Sequence, residues 1–344
     1  MIRSLRVQNF RNHVDGSYQL SPSTTLIVGK NGTGKTSLLE AIHIACRGTS
    51  FKGVDSEILR QGSDWYRIDT DDPSFERIVR YQDDESGRKK KTFTIDSKHS
   101  YRMPIKYKHP VVLFSPDDLQ LLSGSPARRR KYLDTLLTQL HPHYMQSLRR
   151  YERALMQRNK LLKSPYCTPD VLFSWNILLS EHGAAITAAR RDVIERINSV
   201  LTDHYRTIAD APDEIVMSHS HAGHSSQYLL SEYESSYDKD RILGITSIGP
   251  HRHDLIVEMN DRYADDVASR GENRTIILAL KSAELGILHA ETGEKPLILL
   301  DDVYGELDAD RQRLVSEVFK GYQTIITSTH SIKSGSIDSV IELK

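Results

Sequence analysis

Cysteine is nearly missing from this chain: only Cys46 and Cys167 occur, in unrelated surroundings. Neither a disulfide framework nor a metal-ligand spacing follows from two such positions. Excess charge is missing too. Lys and Arg balance Asp and Glu to a net charge of +0, so no whole-chain field draws the protein to nucleic acid, and any basic surface has to be local. No apolar run approaches the length that spans a bilayer. The first residues, Met1-Ile2-Arg3-Ser4-Leu5-Arg6, lack the apolar core of a secretory leader. Low-complexity tracts and internal repeats are absent as well. Together these absences set aside a stapled secreted domain and a membrane span, and they predict a soluble protein of the cytoplasm. What remains is a globular composition, 38% hydrophobic and 27% charged over 344 residues. That suffices for one large domain or two intimate ones.

Hydrophobic periodicity divides the chain into three stretches. In residues 1–125, strands are expected at 5–10, 25–28, 78–81, 92–95 and 111–114. A turn is expected at Glu85-Ser86-Gly87-Arg88, and one helix from Ser37 onward. Residues 126–208 change to helical spacing, broken into two arms by Pro165 and Pro169, and a loop rich in Ser and His follows near 218–228. From 243 the alternation returns: strands at 255–257, 296–300 and 324–327, with a long helix over 274–290. Strands alternating with helices predict an α/β fold with a mixed, largely parallel sheet covered on both faces. The expected organisation is a core from 1–125 and 240–344, with a helical lobe, 126–239, inserted in it.

Residues Gly29-Lys30-Asn31-Gly32-Thr33-Gly34-Lys35-Thr36 match the phosphate-loop pattern in full, with a strand before and a helix after. The glycines let the backbone curl so that several N–H groups converge on phosphate oxygens, and the helix N-terminus adds partial positive charge. Lys35 is placed to reach the β- and γ-phosphates of ATP, and the Thr36 hydroxyl to bind Mg²⁺. Such a site needs a carboxylate at the end of a neighbouring strand. The run Leu297-Ile298-Leu299-Leu300-Asp301-Asp302 supplies it. Asp301 is expected near Mg²⁺ or its waters, and Asp302 where it could orient or deprotonate the attacking water. A strand-end turn with two solvated aspartates is the plainer alternative, weakened by the loop's need for this partner.

Later motifs select among ATPase classes. Ser269-Arg270-Gly271-Glu272-Asn273-Arg274 opens the long helix before Asp301. It looks like a divergent ABC signature, in which Ser269 and Gly271 would bind the γ-phosphate of ATP held by another subunit. The competing reading is an ordinary cap, Ser269 with Glu272 as a capping box. Its position between the insertion and Asp301 favours the signature. Gly305-Glu306-Leu307-Asp308 resembles a D-loop, and His330, after Thr327-Ser328-Thr329, resembles a switch histidine. No Q-loop glutamine can be fixed beyond the region 114–120. The class expected is therefore an ABC-type P-loop ATPase head.

Across nearly its whole length the chain resembles the RecF family. The resemblance is carried by 5–12 (LRVQNFRN), Phe114-Ser115-Pro116-Asp117-Asp118-Leu119 and Gly124-Ser125-Pro126 leading into Arg128-Arg129-Arg130-Lys131-Tyr132-Leu133-Asp134. Gly249-Pro250-His251-Arg252-His253-Asp254 and 301–308 (DDVYGELD) complete it. His253 stands where members of that family usually have an acid. The resemblance implies a weak, DNA-stimulated ATPase that forms a homodimer when ATP is bound, with each ATP between Lys35 and Thr36 of one copy and Ser269 and Gly271 of the other. It implies binding of double-stranded or gapped DNA, work with RecR and RecO, and help in loading a recombinase.

Arg88-Lys89-Lys90-Lys91, Arg128-Arg129-Arg130-Lys131, and Arg149, Arg150, Arg153 and Arg158 are the local basic clusters. A basic helical face would give salt-dependent, sequence-tolerant DNA contact. Solvated faces or internal ion pairs are the alternative, and for 128–131 a packing role is weighed against DNA contact. His219, His221 and His224 are too loosely spaced, with no Cys or acid beside them, to predict a metal site. Three rivals remain. A transporter ATPase subunit is opposed by the long insertion and the Ser-Arg-Gly signature. A RecN-like protein would need longer arms than 126–208. An ATP-gated DNA-binding scaffold with incidental hydrolysis differs in emphasis only.

Overall fold

The structure, a computed structural model, describes residues 1–73, 75–83, 88–221, 225–304, 309–330 and 337–344. The chain opens with strands β1 (Ser4–Phe10), β2 (His13–Gln19) and β3 (Thr24–Gly29), then helix α1 (Lys35–Arg47) and the single turn α2 (Asp55–Ile58). Strands β4 (Trp65–Asp72), β5 (Phe75–Asp83), β6 (Lys89–Ile95), β7 (Lys98–Ser100) and β8 (Val111–Phe114) follow. Three helices come next: α3 (Pro126–Leu140), α4 (Pro142–Leu162) and α5 (Pro169–Ala209). Strand β9 (Ile215–His219) leads to helices α6 (Ser226–Ser235) and α7 (Tyr237–Leu243), then strands β10 (Leu255–Met259) and β11 (Arg262–Tyr263), and the short α8 (Ala264–Val267). The chain finishes with α9 (Arg270–Thr292), β12 (Leu297–Leu300), α10 (Ala309–Val318), β13 (Thr324–Ser328) and β14 (Ser339–Leu343).

These elements form two compact units. One comprises Met1–Asp118 with Leu288–Lys344, the other Leu119–Ile287. The first unit holds a five-stranded sheet in the order β14-β3-β13-β12-β8, every pair parallel. All four residues of β12 are buried, as a central strand covered on both faces requires. A second sheet, β2-β1-β4-β5-β6-β7, is antiparallel throughout. Parallel and antiparallel strands are thus segregated into separate sheets rather than mixed in one. Helix α1 buries Leu38, Leu39, Ile42 and Ile44. They join one core with Leu5, Val7 and Phe10 of β1, Ile68 of β4 and Ile27 of β3. Gly48, at φ 81°, ends α1 by donating its N–H to the Ile44 carbonyl, the αL stop that glycine makes without a Cβ penalty.

The second unit is built along α5, 41 residues long. Its buried positions Leu172, Asn176, Leu179, Gly183, Ile186, Arg190, Val193, Ile197, Leu201 and Tyr205 recur every three or four residues, one continuous helical face. Thr168 caps the helix and Pro169 occupies its first turn, so the two prolines that interrupt the periodicity do bound the helical arms. The contact boundaries, after 118 and 287, differ from the sequence boundaries at 125 and 239. Residues 240–287 group with the helices because β10 pairs with β9 in a small antiparallel sheet, β11-β10-β9. The stretch 218–228, read as a loop, contains the end of β9 and the start of α6. No described helix is long and apolar enough to cross a membrane.

Candidate nucleotide site

Strand β3 runs straight into the phosphate loop, and the loop into α1. Gly34 is the turning point: its φ is 98°, a region closed to most L-residues. Lys30, Asn31 and Gly32 lie exposed at the rim, while Lys35 is buried. The Thr33 hydroxyl donates to the Lys30 carbonyl at 2.9 Å, pinning the loop's curl. The Lys35 ammonium donates to the Gly29 carbonyl at 2.9 Å and lies 3.8 Å from the Asp302 carboxylate. Gly29 itself has no room for a side chain: a Cβ there would meet the Thr33 hydroxyl at 2.5 Å.

The parallel sheet brings the second half into place. Strand β13 pairs with β3 on one side and β12 on the other, so residues after all three strands emerge at one edge, where ligands bind in open α/β sheets. Asp301 follows β12, and the Thr36 hydroxyl donates to its Oδ1 at 2.6 Å. Burial pushes the Asp301 carboxyl above the usual carboxylate range, against the opposing pull of the Thr36 hydrogen bond and the Lys52 charge. Asp302 sits at φ 55°, and its N–H donates to the Thr327 hydroxyl of β13 at 2.9 Å. Its Oδ1 is buried and has no hydrogen-bond partner among the described residues. Lys35, Thr36, Asp301 and Asp302, named from sequence, therefore meet in one place.

The remaining predicted residues divide. His330 is exposed just beyond β13, its Nδ1 2.7 Å from the Thr329 hydroxyl and its N–H donating to Ser328 Oγ at 3.2 Å. Ser269 precedes α9 and is exposed, with Gly271 partly exposed in the first turn. Ser269 N–H donates to Glu272 Oε2 at 2.7 Å and Glu272 N–H to Ser269 Oγ at 3.3 Å, so the capping box is formed. The D-loop residues 305–308 and His224 lie outside the described residues. Among the described residues no group of three His, Cys, Asp or Glu could hold a metal.

Several basic residues do not face solvent as a DNA-binding stripe would need. Arg158 is fully buried, bonded to Asp240 at 2.7 Å and to Asn176 at 2.8 Å. Arg129 makes a fork to Asp254, 2.8 Å at each arm, and Arg130 donates to the His253 carbonyl at 2.8 Å. Lys91 turns inward to Asp55, at 2.5 Å. Arg149, Arg150 and Arg153 of α4 are exposed. So are Arg80 and Lys90 on the outer face of the antiparallel sheet, over Trp65 at 5.9 Å and Tyr101 at 5.3 Å. Sequence reasoning gave no role to Asn12, His13 or Lys52, although Asn12 and His13 touch the phosphate loop and the charge of Lys52 acts on Asp301. The run at 5–12 was the only signal that could have drawn attention to the first of them.

A phosphate loop between β3 and α1, facing a buried aspartate at the end of β12, a parallel strand separated from β3 by β13, defines a P-loop ATPase head of the ABC type. A family model described as an AAA domain matches residues 4–142. The fold is that of the Smc head bound to the C-winged helix domain of ScpA, with a TM-score of 0.58 at 15% identity over 99% of this chain and 93% of that one. Within that class the chain belongs to the RecF family. It is 32% identical to the DNA replication and repair protein RecF of Lachnoclostridium phytofermentans, over 96% of this chain and 92% of that protein. The RecF protein of Gloeobacter violaceus is also 32% identical, over the same shares. The structure of the recombination mediator protein RecF with ATP superposes with a TM-score of 0.87 at 27% identity, covering 99% of this chain and 95% of that one.

Proposed function

We propose that this chain is an ATP-dependent DNA-binding repair protein that hydrolyses ATP slowly, faster with DNA, and closes into a homodimer around the nucleotide. The Thr36–Asp301 hydrogen bond at 2.6 Å, with Lys35 and Asp302 beside it, carries the reading. It joins the two halves of a nucleotide site that the sequence places 265 residues apart. Residues Gly29 to Thr36 would cradle the phosphates, and Lys35 would exchange its Gly29 and Asp302 contacts for phosphate oxygens. The residues present suit Mg²⁺: a hydroxyl and a carboxylate in contact, and an Asp302 oxygen without a described partner. Thr36 and Asp301 would hold the ion, which when bound neutralises phosphate charge. Asp302 would orient the attacking water and accept its proton as the bond between the β- and γ-phosphates breaks, and His330 would contact the γ-phosphate.

Ser269 and Gly271 supply the reason to dimerise. They stand at the exposed start of a 23-residue helix, whose free N–H groups and partial charge suit an anion. A γ-phosphate presented by a second copy would be gripped there, and its loss on hydrolysis would loosen the pair. DNA phosphates would be met by Arg149, Arg150 and Arg153, and by Arg80 and Lys90. RecR and RecO are the expected partners in loading a recombinase. The test is sedimentation with a slowly hydrolysed ATP analogue, with and without gapped DNA. Nucleotide-dependent dimers that retain DNA are expected, and Ser269→Arg should abolish them. A monomer under every condition would defeat the proposal.

A further inference from the structure

The turn between β1 and β2 grips the phosphate loop from behind. Asn12 Nδ2 donates to the Gly32 carbonyl at 2.8 Å, and His13 Nε2 donates to the Gly34 carbonyl at 3.1 Å. The contact with Gly34 is close enough to dictate its identity. A Cβ at that position would lie 2.3 Å from His13 Nε2 and 2.5 Å from Asn12 Oδ1. His13 is only 9% exposed, and its other nitrogen lies 3.4 Å from the Tyr18 hydroxyl of β2. Burial lowers the imidazole's pKa, so the ring is neutral near pH 7. With Tyr18 donating to Nδ1, the proton sits on Nε2, where the Gly34 carbonyl accepts it.

We propose that Asn12 and His13 are positioning residues that set the phosphate loop in its nucleotide-receiving shape by fixing the peptide planes after Gly32 and Gly34. In a trans peptide the C=O and the following N–H point in opposite directions. Holding both carbonyls toward the hairpin turns the Thr33 and Lys35 N–H groups away from it. Lys35 lies in the first turn of α1, where its N–H has no acceptor within the helix. The Thr33 N–H makes only a 3.3 Å turn contact with the Lys30 carbonyl. These are two of the donors a phosphate would use.

The grip matters for binding more than for folding. Without Asn12 the Gly32 carbonyl, on an exposed residue, can turn to water. Without His13 the Gly34 carbonyl still accepts the Leu38 N–H at 3.1 Å. Loss of Asn12 frees the plane after Gly32 to rotate, and loss of His13 leaves the plane after Gly34 held by one hydrogen bond in place of two; apparent affinity falls with the share of molecules holding the receptive planes.

This inference rests on the reading that the loop receives nucleotide phosphates, and the experiment separates the two. ATP analogue binding and steady-state ATPase are measured for the full chain and for Asn12→Ala, Asn12→Asp, His13→Ala and His13→Gln, with thermal unfolding as the control for folding. Asn12→Ala and His13→Ala should raise Kd and KM about tenfold with kcat nearly unchanged. Asn12→Asp should be worse, since a carboxylate would face a carbonyl and oppose the phosphates. His13→Gln, which keeps a donor, should recover most of the affinity. Should His13→Ala fail to fold, the exposed Asn12 carries the test. Wild-type affinity in both Asn12 variants would overturn the inference and leave the ATPase reading intact, as would a fall in kcat at constant KM. Failure of the unaltered chain to bind the analogue would overturn the ATPase reading itself.

Discussion

Asp302 occupies the left-handed region at φ 55°, which costs a non-glycine residue roughly 1–3 kcal/mol. That strain aims one carboxylate oxygen at Lys35 and leaves the other buried and without a described partner. In the proposed mechanism this carboxylate orients the attacking water. Asp302→Asn should therefore slow phosphate release by roughly 10²–10⁴-fold while leaving nucleotide-dependent dimers intact, read by phosphate assay and sedimentation on one sample. Unchanged turnover would remove Asp302 from the mechanism. Full repair function in a variant that cannot hydrolyse ATP would favour the scaffold reading. At this scale the turn from β3 into α1 was legible because a contiguous motif, Gly29 to Thr36, states it. Arg158 and Lys91 were not: their partners Asp240 and Asp55 lie 82 and 36 residues away, and a basic residue reads the same in sequence whether it faces solvent or a buried acid. Asn12 and His13 were missed because polar residues in a tight turn are common for local reasons.

Elements were legible where burial imposed a strong pattern. The apolar runs of β3, β8, β12 and β13 stand out because both faces of a parallel sheet are covered. β2 was invisible: of its residues only His13 is buried, so no apolar alternation marks it. Residues 240–287 group with the helical unit through β9 and β10, which pair across more than 30 residues of intervening chain, and strand pairing leaves no local trace. The segment Gly249-Pro250-His251 shows how an element can carry a pH dependence. Tyr151 of α4 donates to His251 Nδ1 at 2.6 Å, and His251 Nε2 donates to the Thr246 carbonyl at 3.1 Å. Burial lowers the His251 pKa from 6.5 to about 4. The unfolded chain therefore takes up the proton first, and stability present above 6.5 is lost as pH falls toward 4. An NMR titration of the ring should give a midpoint near 4, and one near 6.5 would show that the imidazole is not held in this network.

For the whole molecule, the account depends on each nucleotide being completed by a second copy. The phosphate loop and the Ser269 helix start belong to different compact units, and a helix start already satisfied by its own capping box is stable alone yet still offers N–H groups to an anion. The direct test mixes two defective chains, Lys35→Ala and Ser269→Arg, in the presence of ATP. Each variant alone has one damaged half in both sites. In a mixed pair one site combines the two defects, while the other joins an intact Lys35 to an intact Ser269. The account predicts that neither variant alone forms nucleotide-dependent dimers, and that mixing restores heterodimers with ATPase activity at up to about half the level of the unaltered pair. Dimers of Ser269→Arg with itself, or no gain on mixing, would contradict it.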